Sequence, residues 1–447
     1  MYSPDIRSSI LLTDLYQLTM LQGYMEQGME ETAVFEFFSR KMPPQRGFYL
    51  AAGLEQLVEF LEQAHFTPQE LEWVAQSGYF SQSFVDYLER WRFTGDLHAM
   101  PEGTVCFINE PMVRITAPLP QAQLVETRLI NLLQYQTLVA SKAARCVLAA
   151  NGTPLIDFGL RRAHGAEAGL LAARASYLAG FTGSATVLAE SLFGVPVFGT
   201  MAHSFIQAHP IEHEAFKHFA DAQPNNVILL IDTYHTEEGA RKVVALAPEL
   251  KEKGIPIQGV RLDSGDLVDH AFQVRKILDD GGLRDVKITA SGNLDEYAIQ
   301  SMVAAQAPID FFAVGTKMTA SADVPYLDCA YKLQEYAGRP TRKKSEGKAT
   351  WPGPKQVYRH YDEQGHIEYD VVTTADDAQQ GEPLLEPVMQ NGKRIGSPVS
   401  LVHTREYAAA QLQRLPEKLR ALQEGETVEV RVSQALHALA KAVDAQR

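Results

Sequence analysis

The runs NVILLID (226–232), IPIQGVRLD (255–263), VKITASG (286–292) and IDFFAVGT (309–316) decide how this chain folds. Each is a short apolar stretch that stops abruptly at Asp, Gly or Thr. The ends lie about 25–31 residues apart, the length of one strand–helix unit with a parallel strand. Two earlier runs, LIDFG (155–159) and VPVFGT (195–200), have the same form. Strands this continuous in apolar residues suit a parallel sheet covered on both faces, or a barrel. No G-x-G-x-x-G follows an early strand and no G-x-x-x-x-G-K-[ST] occurs, so neither a dinucleotide-binding sheet nor a P-loop is supported. The spacing predicts a closed or nearly closed α/β barrel over residues 125–338.

Outward from this repeat the texture changes. Residues 122–146 read as one long, lightly charged, buried helix leading into the barrel. Residues 1–124 read as part of a small α+β domain. There, Leu11 to Met29 has a helical rhythm, TAVFEFFS (32–39) is rich in strand formers, and 53–61 and 68–75 suggest short helices. After Gly338 the polar stretch GRPTRKKSEGKATWPGPKQVYRH (338–360) ends in a strand, and short pieces follow to about residue 403. Helical patterns return at 405–419 and 430–445. The segment 339–447 shares the broken-strand texture of the first domain and is expected to rejoin it.

Composition sets limits on function. The 447 residues carry 41 Lys and Arg against 55 Asp and Glu, a net charge of −14, which argues against broad nucleic-acid binding. Cys106, Cys146 and Cys329 lie far apart without metal-ligand spacing, which excludes a disulfide scaffold. The opening MYSPDIRSSILLTD lacks an apolar signal core, and no run reaches the length of a membrane span. A soluble cytoplasmic protein is expected, with no membrane partner.

In parallel α/β folds, ligands sit beyond the C-terminal ends of the strands. Those ends carry Arg161, Arg162 and His164, then Thr200 and His203, then Asp232 and His235. Arg261, Asp263 and Asp266 follow, then Ser291, Gly292 and Asn293, and finally Gly315, Thr316 and Lys317. Cations, carboxylates, hydroxyls and glycine amides together can hold phosphates and a metal ion; a plain solvated rim is the alternative. In LRRAHG (160–165), adjacent arginines on an extended backbone would point opposite ways. His203, in GTMAHSF (199–205), is an acid, base, nucleophile or structural residue. In VRLDSGD (260–266), Arg261 and Asp263 alternate with apolar residues, so both can face the centre. Asp263 and Asp266 flank a Ser-Gly that could cradle a ribose or phosphates, directly or through Mg²⁺; a helix cap by Ser264 or Asp263 is the competing reading. His209 and His213 lack the H-E-x-x-H pattern of a zinc site. The cations Arg339, Arg342, Lys343, Lys344, Lys348, Lys355 and Arg359 are opposed locally only by Glu346. They would steer polyanions or form a solvated loop.

Taken together, TDLYQLTM (13–20), FEFF (35–38), DFGLRRAHG (157–165), GTMAHSF (199–205), GVRLDSGDL (259–267), SGNLDE (291–296), AVGTKM (313–318) and SEGKATWPGPKQVYR (345–359) resemble the nicotinate phosphoribosyltransferase family over nearly the whole chain. The resemblance implies the quinolinate-type phosphoribosyltransferase fold: a barrel-like α/β domain plus a smaller α+β domain built from both chain ends. It implies a homodimer with shared sites. The implied reaction joins nicotinate to phosphoribosyl pyrophosphate, giving nicotinate mononucleotide and pyrophosphate. Mg²⁺ is implied as cofactor and ATP as co-substrate, through a phosphohistidine matched to His203; such enzymes are also classed as ligases of NAD biosynthesis. Tyr16, Thr200 and Arg261 match nicotinate-contacting positions, and Thr316 a donor-binding one. Asp263 is the matched catalytic carboxylate, and Arg162, Ser291, Gly292 and Gly315 belong to the same site. Metal ligands are not assigned. Three other readings stand: specificity for another pyridine base, a phosphate-binding barrel of other chemistry such as an aldolase (for which Lys287 and Lys317 are poor candidates), and a non-catalytic scaffold.

Overall fold

The computed structural model describes Asp5 and residues 8–345 and 348–446; Glu346 and Gly347 of the basic stretch lie outside the described residues. The chain forms two compact units. One takes Met1–Ser141 together with Tyr326–Arg447, and the other is the continuous stretch Lys142–Pro325.

The first unit opens with α1 (Leu15–Glu26), which buries Gln17, Leu18 and Leu21. Strand β1 (Thr32–Ser39) is buried at every residue but the first. Strands β2 (Asp96–Ala99) and β3 (Val113–Pro118) follow. The long helical signal is two helices rather than one: Leu119–Leu124, then α2 (Glu126–Ala150), within which the boundary between the units falls.

In the second unit β4 (Leu155–Asp157) and β5 (Gly183–Ser184) come first, then the short α3 (His203–Gln207). Three strand–helix pairs succeed one another: β6 (Ile228–Leu230) with α4 (Thr236–Glu252), β7 (Gly259–Leu262) with α5 (Leu267–Asp280), and β8 (Lys287–Ala290) with α6 (Glu296–Ala304). Strand β9 (Phe311–Val314) closes the series. The strands are parallel, in the order β5-β4-β9-β8-β7-β6. Val197 extends the ladder by a parallel bridge to Ser184. No backbone pair among the described residues joins the Val197 edge to β6. Instead the Asn226 side chain donates to the Gly199 carbonyl at 2.9 Å, so the two edges of the sheet approach each other. The expected barrel is thus nearly closed, with its seam bridged by a side chain.

The chain then re-enters the first unit. Strand β10 (Cys329–Tyr336) runs antiparallel to β1, and β1 to β3. Strands β11 (Lys355–Tyr361) and β12 (Ile367–Thr374) form a hairpin in a second sheet. This return corrects the picture of a basic stretch opposed by one carboxylate. The Lys355 ammonium is buried 2.8 Å from Glu36, the buried Arg359 pairs with Asp370 at 2.6 Å, and Arg342 and Lys344 both reach Asp444. Two strands and the last helix (Gln434–Ala445) supply anions that the stretch itself does not contain.

Candidate active site

The site of the second unit is built where β6, β7 and β8 end. Arg261 lies in β7 and is 8% exposed. Its Nε donates to Ser291 Oγ (2.9 Å), one terminal nitrogen to the Met201 carbonyl (3.2 Å) and the other to Asp263 Oδ1 (3.1 Å). A guanidinium carries five N–H groups; these bonds use one on each nitrogen. Its carbon stands 5.4 Å from the centre of the Phe158 ring. The alternation read from VRLD therefore does put Arg261 and Asp263 together, already joined as an ion pair.

Asp263 is the hub. Oδ1 lies 2.6 Å from Ser291 Oγ, and Oδ2 lies 3.7 Å from His203 Nε2. Burial alone would push its carboxyl up. The Ser291 hydroxyl and the Arg261 guanidinium outweigh that and hold it below the ordinary carboxylate range. His203 opens α3, and its Nδ1 lies 3.1 Å from Thr233 Oγ1. One imidazole nitrogen is thus engaged by a hydroxyl while the other faces a carboxylate.

Asp232, at the end of the β6 run, is the member the motif comparison left unassigned. Its Oδ2 accepts from the Asp263 amide (2.8 Å) and the Ser264 hydroxyl (2.7 Å). Its Oδ1 is buried without a hydrogen-bond partner. Asp266 is a cap: its side chain accepts from the Val268 and Asp269 amides at the start of α5, so the helix is capped, though not by the Ser264 or Asp263 of the competing reading. Gly292, at φ +99°, lets the turn after β8 lie against the Asp263 carbonyl, where any Cβ would collide.

The other predicted residues are distributed as follows. Gly315 and Thr316 follow β9, and a Cβ on Gly315 would sit 3.0 Å from the Phe158 carbonyl. The Thr200 hydroxyl turns back to the Met201 amide. Arg161 and Arg162 lie in a 3-10 turn (Leu160–Arg162), both exposed, so the extended backbone assumed for them is absent. Tyr16 belongs to the first unit. It is 47% exposed, with its hydroxyl 3.4 Å from Glu126 Oε2. Phe158, inside DFGLRR, was missed; a ring directly after a strand-end carboxylate was the available signal.

Among the described residues no three His, Cys, Asp or Glu side chains gather to hold a metal. Magnesium commonly takes only one or two carboxylates and completes its shell with phosphate and water oxygens. The orphaned Asp232 Oδ1, on a carboxylate whose other oxygen accepts from the Asp263 amide, fits that pattern. No helix among the described residues is long and apolar enough to cross a membrane.

The chain is similar to known proteins. The profile of the nicotinate phosphoribosyltransferase (NAPRTase) N-terminal domain matches residues 11–134, that of the NAPRTase family residues 153–345, and that of the C-terminal domain residues 378–440. A nicotinate phosphoribosyltransferase of Mycobacterium tuberculosis is 47% identical over 93% of this chain and 89% of its own. That of Bacillus subtilis is 40% identical over 80% of this chain and 74% of its own. The crystal structure of human nicotinic acid phosphoribosyltransferase superposes with a TM-score of 0.87 at 30% identity, covering 96% of this chain and 99% of that one. Nicotinate-nucleotide pyrophosphorylase from Pyrococcus furiosus gives 0.75 at 26% identity, covering 93% and 97%. The parallel sheet, the separate sheets of the other unit and these likenesses define a quinolinate-type phosphoribosyltransferase fold. The chain belongs to the nicotinate phosphoribosyltransferase family.

Proposed function

We propose that this chain forms nicotinate mononucleotide and pyrophosphate from nicotinate and 5-phosphoribosyl 1-pyrophosphate, driven by ATP through a phosphohistidine at His203, as a step of NAD biosynthesis. The observation that carries the reading is the buried Arg261, which keeps donors on both terminal nitrogens beside the Phe158 ring and Asp263. A planar guanidinium next to an aromatic face suits a flat carboxylate-bearing ring.

In the transfer, the pyridine nitrogen bonds to the anomeric carbon while the carbon–oxygen bond to pyrophosphate breaks. Positive charge grows on the ribose, and the departing oxygens take the electron pair. Asp263, ionised and held by Ser291 and Arg261, places negative charge where the ribose turns cationic. Mg²⁺ held by Asp232 and Asp263 would offset the charge on the leaving group. The amides of Gly292 and Gly315 and the Thr316 hydroxyl are assigned to the donor's phosphates, Arg162 to the rim, Thr200 to the base pocket, and Tyr16 to covering the ring. With Nδ1–H donated to Thr233, His203 would present the Nε2 lone pair to the γ-phosphoryl group of ATP. Hydrolysis of that phosphoramidate would drive the otherwise reversible transfer.

The same reading makes the working form a cytoplasmic homodimer with shared sites, which the mass in solution checks. Product analysis with nicotinate and the donor, with and without ATP, tests the whole. Nicotinate mononucleotide is expected in both cases, with a higher yield and ADP release when ATP is present. No product in either case would overturn it.

A further inference from the structure

Behind the strand ends lies a buried charge cluster outside the site described above. Lys142, on α2, is 2% exposed and its ammonium sits 2.6 Å from Glu296 and 2.8 Å from Asp323. Arg145, one turn on and equally buried, donates to the other Glu296 oxygen at 2.9 Å and reaches the Tyr297 hydroxyl at 3.3 Å. A fourth pair joins Lys317 to Asp295 at 2.7 Å, and Asp295 also caps α6 through the Ala298 amide.

The connectivity of these pairs matters more than their number. Asp295 and Glu296 end the turn after β8 that begins with Ser291 and Gly292. Lys317 and Asp323 belong to the segment after β9 that begins with Gly315 and Thr316. Lys317–Asp295 ties the two segments to each other, and Lys142 ties each to the same helix. Withdrawing these charges from water is costly, and apolar packing would stabilise as well. What ion pairs add is fixed distance and orientation.

We propose that Lys142 is a positioning residue for the phosphoribosyl donor. Bridging Glu296 and Asp323, it sets the spacing between the turns after β8 and β9, so that their amides meet the phosphates of one ligand together. This rests on the reading above that these strand ends hold the donor.

The test compares Lys142→Met and Lys142→Arg with wild type, using steady-state kinetics in each substrate and calorimetric titration of phosphoribosyl pyrophosphate with Mg²⁺. Lys142→Met should raise the donor KM and Kd about tenfold, the scale of one lost hydrogen bond to a charged group. The nicotinate KM should stay within twofold, and Lys142→Arg should recover most of the donor affinity. If Lys142→Met does not fold, Asp323→Asn cuts the same bridge at a partly exposed end and should show the same split. Equal rises in both KM values, or an unchanged donor Kd in a folded variant, would overturn the proposal. Wild type that binds no donor would overturn the reading beneath it instead.

Discussion

Arg261 and His203 concentrate the chemistry proposed for this site, and they can be separated by substitution. Arg261→Ala removes a buried charged donor, a loss of roughly 2–5 kcal/mol on truncation. The nicotinate KM should rise at least thirtyfold, and Arg261→Lys should not restore it, because an ammonium lacks the planar fork. An unchanged nicotinate KM with donor affinity lost would move Arg261 to the phosphates. His203→Asn should abolish ATP hydrolysis and phosphoenzyme while leaving slow, reversible transfer. Label from γ-labelled ATP should be stable in base and lost in acid; label persisting in the variant would point to another residue. Arg261 and Asp263 could be placed together from sequence because alternation at a strand end places side chains without help from distant residues, and Ser291 because a small polar residue ends the next run. Asp232 could be placed at its strand end but not in its role, since its partners are the Asp263 amide and the Ser264 hydroxyl on the next strand's loop. The two arginines of LRRAHG were misread for a local reason: the strand ends at Asp157, and the backbone is already coiling when it reaches them.

Strand pairs decide what charges mean. Arg359 and Asp370 are direct partners across the β11–β12 hairpin, both fully buried, with two hydrogen bonds between them. Arg359→Met would leave Asp370 buried and unpaired, at a cost of about 3–5 kcal/mol. Denaturant unfolding should show that loss, and Arg359→Met combined with Asp370→Leu should recover much of it. A solvated, steering Arg359 would show neither. A second case sits at the end of β4. Asp157 is buried and accepts from the Ser184 hydroxyl on β5 and the Gly159 amide, yet desolvation dominates and pushes its carboxyl up to about 6. The folded state therefore binds this proton more tightly than the unfolded chain does, where a free Asp titrates near 3.9. Asp157 contributes most to stability below that value, and the contribution falls as pH rises to about 6. Relative to wild type, Asp157→Asn should gain stability in thermal melts between pH 4 and pH 7; a pH-independent difference would refute this. Strands of three or four residues carry too little periodicity to predict alone; those after residue 226 were legible as a series, through the regular distance between their ends. The two-residue β5 lay in no predicted run, and VPVFGT (195–200) supplies only the isolated bridge of Val197 rather than a strand.

On the scale of the whole molecule, the continuous unit Lys142–Pro325 was the legible part, because strand, helix and next strand are neighbours in sequence. The other unit joins segments from either side of it, and only a likeness of texture and the family resemblance pointed to their meeting. The pairing of β1 with β10 illustrates this, as does Lys355, which donates its amide to Glu36 across 319 residues of chain. That span has a consequence for how the protein is made. A ribosome adding 5–20 residues per second needs on the order of 15–60 s to travel from Glu36 to Lys355. Throughout that time β1 has emerged with one edge unpaired and a carboxylate destined for burial still lacking its cation. The central unit can finish folding meanwhile, so the nascent chain carries a completed body behind an incomplete leading segment. An unpaired apolar strand is a template for pairing with other chains, so translation should be the interval in which this protein most depends on chaperones.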